Sequence, residues 1–179
     1  MLLANEIGKI FYKSSLSSFI SVFLKKEGFY MYNIFDIANW FISKGNISQK
    51  KLQRLVYYSY VWYLTLMNEK ENELLNHLFK EKPEAWIHGP TYPCLYEKYK
   101  HYGSDPIDSN VKTIKFNEDT EDILDQVWDV YGQYNGNELE SIACQEDPWV
   151  NARKNLSPLE SSRNNIEDEE IFNYYIKQV

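Results

Sequence analysis

The sequence predicts a mainly α-helical fold, α+β at most: a compact helical domain carrying a small β-hairpin or a few short strands. Three observations carry that expectation. Apolar residues recur three and four apart through Ile34 to Ser43, Ser48 to Lys70 and Asn117 to Tyr134, the spacing that lines one face of a helix. One stretch, EAWIHGPTYPCLYEKYK from Glu84 to Lys100, departs from it, reading as a strand in its first half and a helix in its second, with Gly89, Pro90 and Pro93 forcing the change of direction between them. Finally, 44% hydrophobic and 16% aromatic residues in a chain of 179 exclude disorder and supply one sizeable core.

Residues 1–30 are expected to form an N-terminal extension of one or two amphipathic helical pieces, with Ile7, Ile10, Phe11, Leu16, Phe19, Ile20, Phe23 and Leu24 largely three or four apart. The extension packs on the domain or is a leader from an upstream start, since Met31 can itself begin a complete domain; attachment to a membrane surface is the competing reading. The domain proper is read as residues 31–179, with a core of about 34–153 and a linker and helix at 154–179.

Phe35, Ala38, Phe41 and Ile42 define the first core helix, ending near Gly45. Ser48 then caps the longest helix, whose buried side is Leu52, Leu55, Val56, Ser59, Trp62, Tyr63 and Leu66. Lys50, Lys51 and Arg54 on its early turns read as solvated charges. Across the EKP turn, Leu78 and Phe79 are expected to pair with Glu84 to His88 as a hairpin. HYGSDPIDSN, residues 101–110, is a loop, and Val111 to Phe116 a short strand or an extended connection. Asn117 caps a second strong helix bearing Ile123, Leu124, Val127, Trp128 and Tyr131, broken at Gly132 and Gly136. A short helix buries Leu139, Ile142 and Ala143. In EDPWVNARK, Asp147 is the expected cap and Pro148 the first helical residue, and a last helix carries Ile171, Phe172, Tyr175 and Ile176.

Little in this chain points to chemistry. A net charge of −7, from 26 acidic and 19 basic residues, argues against a nucleic-acid surface and favours a basic partner. Two cysteines, Cys94 and Cys144, without CxxC spacing place the chain by default in a reducing cytoplasm, as small buried hydrophobes. No apolar run reaches the roughly 20 residues of a membrane span. His77, His88 and His101 lack metal-ligand spacing, and no phosphate-binding or nucleophile-elbow motif occurs, so no metal, cofactor or catalytic residue is assigned. A small hydrolase using His88 with Cys94 or a carboxylate is the enzymatic alternative. Glu138, Glu140, Glu146 and Asp147 form an acidic cluster that solvated helix faces and caps explain. Aromatic anchors remain at two turns: Trp86, Tyr92 and Tyr96 at one, Trp149 beside QEDPW at the other, packing either a core or a partner protein.

Five blocks in order, FDIANWFI, KKLQRLVYYSYVWYL, EAWIHGPTYPCLYEKYK, VWDVYGQYNGNELE and QEDPWVNAR, resemble the Panacea domain of phage-associated GepA-like and SocA-like proteins, over about Ile34 to Arg153. The resemblance implies a helical antitoxin that neutralises a cognate protein toxin by direct contact. In its SocA-like branch it implies instead a proteolytic adaptor presenting the toxin to a Clp-type protease. Partner-binding or scaffold residues are then expected among Trp86, His88, Gly89, Pro90, Tyr92, Tyr96, Glu146, Asp147, Pro148 and Trp149, with Gly89, Pro90 and Pro148 holding geometry and the rings and carboxylates making contacts.

Overall fold

A helix buried on every side organises the molecule. The computed structural model describes residues 31–179, so the expectations for residues 1–30 lie outside the described residues. In order, the elements are α1 (Ile34–Ser43), α2 (Gln49–Leu66), β1 (Glu84–Trp86), β2 (Gly89–Thr91), α3 (Pro93–Tyr99), α4 (Glu118–Tyr131), α5 (Gly136–Ala143), α6 (Asp147–Ala152) and α7 (Asp168–Tyr175). The described residues are mainly helical with one two-stranded antiparallel sheet, as the sequence predicts.

Caps set the helix starts. Asn33, Ser48 and Asn117 accept from the backbone N–H groups of Phe35, Lys51 and Thr120, and Asn135 with Glu138 forms a capping box at α5. Gly136 therefore opens α5 rather than merely breaking α4. Fourteen of the eighteen residues of α2 are buried, so α2 is the axle on which α1, α4, α5, α7 and β2 pack. Its aromatic rings interlock with their neighbours: Tyr58 stacks on Tyr131 with centroids 3.8 Å apart, and Trp62 Nε1 donates to the Tyr131 hydroxyl at 3.1 Å. Its small polar residues bond within the helix, Ser59 to Leu55 O and Thr65 to Val61 O, so their burial leaves no orphan.

The hairpin differs from the expected one. β1 pairs with β2, Glu84 opposite Thr91 and Trp86 opposite Gly89, inside the motif itself. Leu78 and Phe79 are fully buried without being strand residues; Leu78 O accepts from Tyr32 N at 2.8 Å, which draws that segment toward α1. The Asn68 side chain braces the preceding loop, accepting from Leu75 N and Asn76 N. Val111 to Phe116 is a connection that belongs to no strand. Among the described residues no helix is long and apolar enough to cross a membrane.

At the C-terminus, Ile171, Phe172 and Tyr175 face the core as expected, while Ile176 is 40% exposed just past the end of α7. Asp168 fastens the start of that helix. Its carboxylate accepts from Tyr60 at 2.8 Å and from His77 Nε2 at 3.2 Å and lies 3.5 Å from Lys82 Nζ. Burial works against its ionised form, but the His77 and Tyr60 hydrogen bonds and the Lys82 charge prevail and hold its pKa below the ordinary value.

Candidate functional site

The β-hairpin has an exposed edge problem that two buried arginines solve. Each strand of a two-stranded sheet leaves backbone groups unpaired on its outer side. On the β2 side, the Arg54 guanidinium of α2 donates to His88 O and Pro90 O, and the Gln53 amide accepts from Tyr92 N at 2.9 Å while donating to Tyr92 O at 3.2 Å. On the β1 side, Arg153 donates to Ala85 O at 2.9 Å and to Glu160 O at 2.7 Å, and the segment 164–166 bridges to Pro83 and Ala85. Arg54 is thus 2% exposed, which overturns its reading as a solvated charge. Its neighbours are also engaged: Lys51 Nζ donates to Gly132 O at 2.5 Å and Lys50 Nζ pairs with Glu140 at 2.7 Å.

Gly89 is required twice. Its φ is +98°, and an added Cβ would stand 2.8 Å from the Arg54 guanidinium carbon. Gly89→Ala is expected to destabilise the protein by about 1–3 kcal/mol through backbone strain and a displaced Arg54. A urea titration checks this; an unchanged midpoint would show that the hairpin relaxes freely.

Clamping the backbone at His88 pushes its side chain outward, where it is 73% exposed. Nδ1 lies 2.9 Å from Glu140 Oε1, and the other oxygen of that carboxylate takes Lys50. Burial raises the Glu140 pKa, but the hydrogen bonds from Lys50 and His88 win and lower it. Beside this triad opens a cleft of about 460 Å³ lined by Lys50, Ile87, His88, Asn137, Glu140, Ser141, Cys144 and Trp149. Trp149 Nε1 donates to Trp86 O at 2.9 Å, which ties α6 to the hairpin, and Trp86 packs edge-on against Tyr96 with centroids 5.1 Å apart.

The expected site residues therefore divide. His88 and Trp149 line the cleft, while Trp86 and Tyr96, both partly exposed, pack against each other and do not line it. Gly89, Pro90 and Pro148 are buried. Tyr92 is fully buried against Phe79 and Tyr60, so its ring is scaffold and not a contact. Asp147 is exposed on the first turn of α6 but is not its cap; Glu146 holds that position by backbone alone. The Glu146 side chain turns inward, 4% exposed, accepting from the Tyr175 hydroxyl at 2.7 Å, with the Tyr58 hydroxyl 3.4 Å from both its oxygens. Burial lifts its pKa to about 8, against the opposing hydrogen bonds, so the solvated reading of the acidic cluster fails at this residue.

An imidazole, a carboxylate and a thiol do share the cleft, but the thiol is Cys144; Cys94 does not line it. Both cysteines are free and only partly buried, with Cys94 packed against the core. Burial pushes the Cys144 pKa up to about 11, away from the thiolate a nucleophile needs, and among the described residues no hydrogen bond joins it to His88. Nor is any group of three or more His, Cys, Asp or Glu among the described residues placed to hold a metal ion.

Gln53, Arg54, Lys50 and Arg153 hold the hairpin or line the cleft, and sequence reasoning did not single them out for that. A signal for Arg54 existed: VYYSYVWYL is apolar or aromatic on every face, which makes its helix central, and a cation on a central helix needs an internal acceptor.

No curated protein and no solved structure matches the chain significantly. Residues 52–150, more than half of the chain and the span from α2 through the hairpin to Trp149 and Val150, match the family described as Antitoxin SocA-like, Panacea domain. The chain belongs to the SocA-like Panacea antitoxin family.

Proposed function

We propose that the protein is an antitoxin that neutralises a cognate protein toxin by direct binding, with residues 31–179 as the working unit and the hairpin–cleft face as the contact surface. The observation that carries this reading is the braced tip: a hairpin whose backbone Arg54 and Arg153 hold from both sides sets His88 and the Trp149 wall beside one cleft. Side chains ordered before association lose little entropy on binding, which favours protein recognition. The unactivated Cys144 thiol supports binding over hydrolysis. Two free thiols and a net charge of −7 agree with a cytoplasmic partner of basic character.

The test is co-expression with the protein encoded by the adjacent reading frame. Growth arrest by that product alone, relief by this chain and recovery of a stoichiometric complex are expected. Relief that disappears in a strain lacking Clp proteases would identify delivery for degradation as the mechanism. A non-toxic neighbour with no complex would overturn the antitoxin reading.

A further inference from the structure

We infer that the cleft beside the hairpin seats a basic side chain of the partner polypeptide, with His88 Nε2 as its acceptor. The inference deepens the antitoxin reading and rests on it.

The charged and hydrogen-bonding groups at the cleft bear on the polarity of its ligand. Glu140, held ionised by Lys50 and His88, only accepts, so His88 Nδ1 carries the proton and donates to it across 2.9 Å. In the neutral ring, that leaves Nε2 as a lone pair on an exposed side chain. Lys50 Nζ is engaged with Glu140 at 2.7 Å and with Asn137 Oδ1 at 2.9 Å, and Trp149 Nε1 with Trp86 O. The Asn137 amide and the Ser141 hydroxyl can serve a ligand of either polarity, and one Glu140 oxygen is buried, so the exposed group that acts there as an acceptor alone is His88 Nε2. An anionic partner group would meet no uncommitted cation there. Ile87 and Trp149 supply apolar walls for the methylene stem of a lysine or arginine, and the Trp149 ring already accepts one guanidinium, Arg153, at 5.2 Å. The net charge of −7 draws such a group in.

The probe is NMR titration of the isotopically labelled full chain with N-acetyl-arginine methylamide and, separately, N-acetyl-glutamate methylamide. The expected result is an Nδ1–H tautomer for His88, then shifts at the His88 ring and Trp149 indole with the arginine compound only, abolished in His88→Ala. Equal response to both compounds, or an arginine response confined to the acidic surface of α4, would overturn the inference. In the co-expressed complex, His88→Ala is expected to weaken binding at least tenfold, whereas His88→Gln, whose amide oxygen can replace the lost acceptor, keeps most of it. Equal affinity of wild type and His88→Ala would sink the inference and leave the antitoxin reading standing. Failure of the wild type to bind the neighbouring product would sink that reading instead, and the arginine titration would still decide the chemistry of the cleft.

Discussion

Arg54→Met is expected to destabilise the protein by about 3 kcal/mol or more, enough to lower the melting temperature by roughly 6–12 °C for a chain of this size. Methionine fills much of the same volume, so the loss is not chiefly a cavity. It comes from His88 O and Pro90 O, two carbonyls that the guanidinium satisfies and that a thioether cannot. Burial alone pulls the Arg54 pKa below its ordinary value, and Cys144, Tyr58 and Glu140 only partly offset that pull. A buried cation with carbonyl acceptors in place of a carboxylate partner is a costly arrangement, and its return is the fixed hairpin. Toxin binding should therefore fall further than the unfolded fraction explains. A melting curve and a binding isotherm on the same sample separate the two effects. If stability drops while affinity per folded molecule is unchanged, Arg54 supports the fold alone and does not set the geometry of the tip. Arg54→Lys should rescue little, because one ammonium cannot span two carbonyls as the planar fork does.

The helices were legible because their signals are local. Ser48 and Asn117 announce their caps in the sequence, and the three-and-four spacing of Leu52, Leu55, Val56 and Ser59 survives in the folded α2. The hairpin register was not legible. Leu78 and Phe79 look like a strand by composition, yet the bond from Tyr32 N to Leu78 O, more than forty residues apart in sequence, claims them for another contact. Charged residues were misread for a related reason. Pattern reasoning assigns a lone Lys, Arg or Glu to solvent, and nothing near Arg54 or Glu146 in sequence reveals the carbonyls or phenols that receive them from elsewhere in the chain. The WIHGP motif announces a turn in the sequence, but the groups that meet its His88, Lys50 and Glu140, come from α2 and α5 and gather only in the folded molecule. Tyr92 shows the converse, a motif aromatic that looks like an anchor for a partner and is spent on the core.

Glu146→Gln is expected to stabilise the protein at pH 8 by several kcal/mol while changing it little at pH 5. The carboxyl ionises at 4.5 in its ordinary setting and at about 8 in the folded protein. Below 4.5 both states are protonated and the residue imposes no penalty. Between 4.5 and 8 the unfolded chain releases its proton and the folded one keeps it, so stability falls as pH rises, by about 1.4 kcal/mol per unit, and levels off above 8. Over that window the loss is on the order of 4–5 kcal/mol. A neutral amide accepts from Tyr175 as the carboxyl does and has no proton to lose. Asp168 acts in the opposite sense: its pKa is depressed, so its contribution is present above the ordinary carboxylate range and disappears as pH falls through the lowered value. Denaturant titrations of wild type and variant at pH 5, 6.5 and 8 isolate the Glu146 share, because Asp168 is common to both and cancels in the difference. A difference that does not grow with pH would mean that Glu146 is ionised in the folded state and carries its charge without penalty. A growing one ties α6, and with it the Trp149 wall of the cleft, to a neutral carboxyl held among tyrosines, so that alkaline conditions weaken the anchorage of α6.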